Sequence, residues 1–394
     1  MELYPSVTAG GNFLRPVQSG LTNLFCDIGA PWFQTTEMET FVPSADHAAL
    51  RLHDAFTASE TQVVHLCPLD LADHEIFGAP ENARELKFGP YEIRKISRGE
   101  LDQMVRAARL VRHNRNWVFD SRRFEDFFWL VVRETRPIIT PLRSRLYPWL
   151  DRLTDDPHER HVTAHLSPLP SIMERGLFVI WMLPWEDWLR WHDDWRPFKV
   201  PWCYTVVDDP LDSPSPPPDS STLTWQPNFY RTDAGEEVEL EVPVELPLDV
   251  EKVGRLQDHL EAAWNLANLA REPAVLSDNV IHFVNRAFRE GGIDEFLAHI
   301  VAIEAAVGLP REHTTATRRR IGRLMQDSQA VADMERLYSS RNEFLHGRDV
   351  DDLRVADLIE MRKMARAIIE KLLSRAHHYP GLARLDLLQA MDDD

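Results

Sequence analysis

The residues best equipped for chemistry lie in SSRNEFLHGRD, 339 to 349, where Arg341 and His346 stand five positions apart, with Asn342 after the first and Gly347 after the second. Histidine titrates near neutral pH and can move a proton, while a guanidinium is a permanent charge with a rigid fork of donors. On an ideal helix five residues make roughly 500° of rotation, which leaves the two side chains about 140° apart around the axis. Convergence on one small ligand therefore needs a helix end, a distortion, or a second copy of the motif. Gly347 is a residue at which helices commonly stop, so the motif falls where an end is expected. An arginine near a helix C-terminus is also favoured by the helix dipole alone, which is the plain alternative.

The elements around the motif are helical. From Glu251 to Arg375 the segments GRLQDHLEAAWNLANLA, NVIHFVNRAFRE, IDEFLAHIVAIEAAVG, TRRRIGRLMQD, DMERLYSSRNEFL and DLRVADLIEMRKMARAIIEKLLSRA carry apolar residues at helical spacing, separated by short breaks. They predict an antiparallel bundle over 251–376. Residues 1–207 read as a mixed α+β domain. There ELKFGPYEIRKIS predicts two short strands about a Gly-Pro turn, and Ser97 with Glu100 predicts a capping box opening a helix. FEDFFWLVVRE and ERGLFVIWMLPWEDWLRW fit a core helix or a buried strand equally. The stretch 208–224, rich in Pro, Ser and Asp, predicts a loop or linker. Residues 225–250 form a connection containing one half-exposed strand, GEEVELEVPVEL, and 377–394 an acidic tail. The expected fold class is α+β.

The order AIEAAVG, RRRIGRL, LYSSRNEFLHG and a long amphipathic final helix resembles the HEPN superfamily, and within it the Apea-like group, over residues 251–376. Its most specific piece is RNEFLH; Tyr338 and Gly347 also fit, and LKFGPYEIRKISRGEL resembles the region that precedes the domain in Apea-like proteins. The resemblance implies a helical bundle that dimerises, with two motif copies lining one cleft, and in active members a metal-independent endoribonuclease. Under that expectation His346 moves a proton at the 2′-hydroxyl or the leaving 5′-oxygen. Arg341 neutralises charge on the crowded phosphorus, and Asn342 orients phosphate or imidazole. The products would be a 2′,3′-cyclic phosphate and a 5′-hydroxyl. Tyr338 and Gly347 are supporting residues. Arg318, Arg319, Arg320 and Arg323, the one dense basic cluster of this domain, are expected to hold RNA backbone or else to form a solvated helix face. Glu304 is expected to form a salt bridge with an arginine of the bundle.

Other clusters carry less. His158, His161 and His165 have the spacing of one helical face but lack further ligands, and read as ordinary surface histidines. Trp181, Trp185, Trp188, Trp191, Trp195 and Trp202 read as core packing before a stacking platform. Cys26, Cys67 and Cys203 are odd in number and far apart, so neither disulfides nor a thiolate metal site is expected. No cofactor or metal is expected. The chain of 394 residues has a net charge of −19, although residues 252–375 hold 19 basic and 19 acidic residues. That balance argues against indiscriminate coating of nucleic acid. The absence of a long apolar run and of a signal-like N-terminus predicts a soluble cytoplasmic protein without membrane association. The expected function is a HEPN-type endoribonuclease in anti-phage defence or as a toxin effector. Its expected partners are RNA, a second copy of the chain, and a protein or phage-derived trigger. The competing readings are a non-catalytic dimerisation scaffold or RNA-binding module, and an unrelated helical interaction protein.

Overall fold

Gly89 and Pro90 turn the chain back on itself in the structure, a computed structural model. It describes residues 45–70, 85–105, 124, 127–138, 169–188, 197–209, 211, 217–218, 229–231, 237–239, 255–267, 272–309, 311–312, 314–346 and 353–393. The strands on either side of that turn are β2 (Leu86–Phe88) and β3 (Tyr91–Lys95). Gly89 has φ of +52°, and a Cβ there would lie 2.4 Å from the ring of Trp264, so the turn admits only glycine. With β1 (Glu60–Leu69), β4 (Phe128–Pro137) and β5 (Tyr204–Val207) these strands form one sheet in the order β2-β3-β4-β1-β5. β1 and β5 are antiparallel, with His65 opposite Thr205. Two further strands, β6 (Phe229–Arg231) and β7 (Glu237–Glu239), pair antiparallel with each other. The fold class is α+β.

The chain divides into two compact units. The first comprises residues 1–68, 93–166 and 201–223. Here α1 (Ala45–Thr57) precedes β1, and α2 (Arg98–Met104) follows β3. Ser97 Oγ accepts the Glu100 backbone N–H at 3.4 Å and opens α2 as the sequence predicts, while the Glu100 carboxylate is taken by Arg94 at 2.6 and 3.0 Å. One face of the sheet sends Leu66, Trp129, Val131, Tyr204 and Val206 into a cluster with Leu101, Phe124 and Trp202. The other face is buried too, at Val63, His65, Leu130 and Val132. Burial on both faces explains why FFWLVV is a strand without alternation.

The second unit comprises residues 69–92, 167–200 and 224–394. Both units are discontinuous in sequence, and the segment holding Trp181, Trp185 and Trp188 falls in the second, with the C-terminal helices. That segment forms α3 (Ser171–Trp181) and the single turn α4 (Trp185–Trp188). Trp181 stacks on Phe288 with centroids 4.4 Å apart, and Trp185 and Trp188 are buried, so these tryptophans pack the core; Trp191 and Trp195 lie outside the described residues. The bundle helices are α5 (Leu256–Ala267), α6 (Asp278–Arg289), α7 (Gly292–Val307), α8 (Thr314–Met325), α9 (Ser328–Leu345), α10 (Val355–His378) and α11 (Arg384–Asp393). A buried ion pair between Glu295 and Arg362 joins α7 to α10. Gln257 on α5 bonds Lys87 N–H at 2.9 Å and Lys87 C=O at 2.6 Å, covering part of the backbone of the edge strand β2.

The expectation of an acidic tail is corrected by α11, which buries Leu387, Leu388 and Met391. Arg384, at its start, donates to the carbonyls of Ala305, Ala306 and Gly308, where α7 ends with unpaired acceptors. Asp392, near its other end, meets the arginines of α8. Among the described residues no helix is long and apolar enough to cross a membrane. The expected linker 208–224, the connection 225–250, Cys26 and the histidines 158, 161 and 165 fall largely or wholly outside the described residues.

Candidate functional site at the end of helix α9

α9 starts with Asp327 as its cap, whose carboxylate accepts the Gln329 N–H at 2.8 Å. Ala330, Met334, Leu337 and Tyr338 then form its buried stripe at steps of four, three and one. Arg341 lies one turn beyond Tyr338 on the same side and is half-buried. Asn342 and His346, four residues apart, share the exposed side. His346 is the C-cap residue, its N–H bonded to Asn342 C=O at 3.1 Å and Glu343 C=O at 3.2 Å. The helix therefore ends at the histidine, as the following glycine predicts; Gly347 itself lies outside the described residues.

Asn342 touches both members of the pair. Its side-chain Oδ1 accepts from Arg341 Nη1 at 3.2 Å, and its backbone carbonyl holds the His346 N–H. Within one chain Arg341 and His346 leave the helix on different sides, as their spacing requires. Among the described residues, the one hydrogen-bond acceptor of the Arg341 guanidinium is the neutral Asn342 amide. Three arginines of this unit differ. Arg336 bonds Asp357 at 2.6 Å and Glu360, Arg354 bonds Asp357, and Arg366 bonds Glu186. Arg341 thus keeps positive charge without a bonded carboxylate, the property an anion-binding arginine needs.

Beneath Arg341 sits Tyr338, 1% exposed. The Arg318 guanidinium from α8 lies over its ring, 5.3 Å from the centroid. Burial, with the Glu304 carboxylate on α7 adding to it, pushes the phenol well above its ordinary value, against the opposing charges of Arg341 and Arg318. Tyr338 is therefore a neutral phenol at physiological pH. Glu304 forms no ion pair among the described residues, contrary to the salt bridge expected for it; its charge acts on Tyr338 instead.

The arginine cluster of α8 is not one exposed patch. Arg320 has a side-chain exposure of 0%, bonded to Glu312 at 2.6 Å, to Asp392 and to Val307 C=O at 3.0 Å. The expectation that it holds RNA is corrected: this guanidinium is enclosed and fully used. Arg319 bonds Asp392 at 3.0 Å with its side chain still 54% exposed, and Arg323 donates to Met391 C=O. Three of the four arginines hold α11, and Arg318 alone turns to the motif through Tyr338.

A cavity of about 220 Å³ is lined by Arg175, Ala267, Leu276, Ser277, Asp278 and Ile281 among others, and no motif residue lines it. In the first unit the buried His65 bridges three strands, its Nδ1 2.8 Å from Thr205 Oγ1 and its Nε2 3.3 Å from Glu134 Oε1. Desolvation lowers the histidine's pKa despite Glu134. A neutral ring protonated on Nε2 donates to Glu134 and accepts from Thr205. A histidine inside the apolar run VVHLC is the sequence signal for this bridge, although partners 69 and 140 positions away are invisible there. Burial pushes the Cys203 thiol up to about 12, which removes it as a thiolate nucleophile. Cys67 is buried with its thiol donating to the Trp202 carbonyl at 3.2 Å, and among the described residues no group of three ligating side chains could hold a metal ion. Compared with protein-family models, curated proteins and solved structures, the chain matches none, so the account of this site rests on its own residues and geometry.

Proposed function

We propose that the chain is a metal-independent endoribonuclease of the HEPN type, acting as a dimer in which Arg341 of one copy works with His346 of the other. The observation that carries this reading is the state of the α9 terminus. An exposed histidine and a half-buried arginine without a bonded carboxylate among the described residues flank one asparagine that hydrogen-bonds to both.

In the reaction His346 takes the proton of a 2′-hydroxyl, whose oxygen attacks phosphorus as the bond to the 5′-oxygen breaks. That leaving oxygen takes up a proton, from the second histidine of the dimer or from water. The Arg341 guanidinium donates to the non-bridging oxygens, where negative charge grows. Asn342 holds the guanidinium by its amide and the end of the helix by its carbonyl. The products are a 2′,3′-cyclic phosphate and a 5′-hydroxyl, with no metal in any step. Leu345, 54% exposed within the motif, supplies apolar surface for a second copy to cover. The net charge of −19 opposes indiscriminate RNA binding, which fits an effector held in check until a trigger or a specific RNA arrives, as a defence or toxin role requires.

The test is incubation of total RNA with the wild type and with His346→Ala, both in EDTA. Cleavage by the wild type that leaves 2′,3′-cyclic phosphate ends and disappears in the variant is the expected result. Cleavage that survives in His346→Ala, or that EDTA abolishes, would overturn it.

A further inference from the structure

We infer that Arg318 is a second phosphate-holding arginine of this same site, presented beside Arg341 by the buried ring of Tyr338, and that it grips a backbone phosphate next to the one that reacts. The inference rests on the endoribonuclease reading and adds a residue and a substrate register to it. Four arginines lie close together in α8, and the structure separates their tasks. Arg319, Arg320 and Arg323 are bonded to α11, through Asp392 and the carbonyl of Met391. The Arg318 guanidinium instead lies over the Tyr338 ring, 5.3 Å from its centroid.

Tyr338 precedes Arg341 by three residues, so the two side chains lie one above the other on α9. Both guanidinium charges act on the Tyr338 phenol, which places them around the same group from two helices. Glu304 is the one carboxylate acting on that phenol and pairs with neither arginine among the described residues. Two cations against one anion leave the cluster an excess of positive charge, the complement of a polyanion.

Arg318 Nε is buried and makes no hydrogen bond among the described residues. Such a group is costly to bury unless something satisfies it. The Arg318 guanidinium forms no ion pair among the described residues, and the planar fork of its terminal nitrogens suits the oxygens of a phosphate. A lysine lacks that planar fork. Since Arg341 serves the reacting phosphate, Arg318, on the adjacent helix, takes a flanking phosphate of the same strand and acts through binding. RNA is the polyanion that offers neighbouring phosphates at regular spacing together with a 2′-hydroxyl for the reaction.

The experiment is binding of a 2′-O-methyl RNA oligonucleotide, which cannot be cleaved by this route, across a series of salt concentrations. The proteins are the full-length wild type, Arg318→Ala, Arg318→Lys, Arg341→Ala and Tyr338→Phe, each checked for an unchanged circular dichroism melt. Arg318→Ala should bind about tenfold more weakly, as loss of a charge-assisted hydrogen bond implies. Its slope of log affinity against log salt should fall by about 0.7. Arg318→Lys should recover the slope but not the affinity, and Tyr338→Phe, which keeps the ring, should bind like the wild type. With cleavable RNA, Arg318→Ala should raise KM and leave kcat near wild type. If Arg341→Ala weakens binding while Arg318→Ala leaves affinity and slope unchanged, this inference is wrong and the endoribonuclease reading stands. If the wild type does not bind the oligonucleotide, or neither arginine matters, both fall together.

Discussion

Asn342 carries more of the account than its neutral side chain suggests. Its amide is the bonded acceptor of Arg341 among the described residues, and its carbonyl receives the His346 N–H. Asn342→Asp would place a carboxylate where the amide now sits, pair it with the guanidinium and spend the charge that the phosphate needs. We expect kcat/KM for RNA to drop by at least about tenfold, with the melting temperature unchanged. His65 gives a second prediction at this scale, concerning stability. Its folded pKa is below the ordinary 6.5 because burial disfavours the charged ring. The unfolded chain takes up a proton near 6.5 that the folded ring accepts only at lower pH, so stability falls as pH drops below about 6.5. His65→Gln should remove that step from a plot of urea midpoint against pH between 7 and 5, and a step of the same size in the variant would exclude His65 as its source.

At the scale of elements, α11 decides whether the bundle is closed. Burial raises the Asp392 carboxyl and the hydrogen bonds from Arg320 and Arg319 outweigh it, holding the group below its ordinary value. The arginine bond itself holds Glu312 low in the same way. Both carboxylates therefore support folding above their ordinary range, and that support is lost as pH falls through their folded values. Asp392→Ala leaves the enclosed Arg320 with Glu312 as its one bonded carboxylate and should cost about 2 kcal/mol. Leu388→Ala, at a fully buried position, should cost about 3 kcal/mol. Gln389→Ala, on the exposed side of the same helix, should stay within about 0.5 kcal/mol; urea melts of the three compare them directly.

Local signals made most individual elements legible in the sequence. Ser97 opens its helix, Gly89 and Pro90 turn their hairpin, and the segments from 256 to 378 show the helical period because each buries one side. What escaped depends on distant partners. FFWLVV and GLFVIWM have the same apolar texture, and only burial on both faces of a sheet makes the first a strand. The last residues read as a tail because Asp392 finds its arginines some 70 positions upstream. Of the candidate site, the residue types and their angular separation were legible, whereas the placement of Arg318 over Tyr338 and the enclosure of Arg320 were not. Both are contacts between helices, which spacing within one helix does not encode.

At the scale of the whole molecule the proposed ribonuclease needs two chains, since Arg341 and His346 leave α9 on different sides. Leu345→Glu, which puts charge on the apolar surface beside the motif, should halve the mass seen in sedimentation and abolish cleavage without lowering the melting temperature. The most direct measurement mixes two dead variants, Arg341→Ala and His346→Ala, and follows RNA cleavage after subunit exchange. A composite site regenerates one intact Arg/His pair in every mixed dimer, so equal mixing should restore about a quarter of wild-type activity. A mixture as inactive as its components, under conditions where exchange is shown by sedimentation, would contradict a site shared between chains.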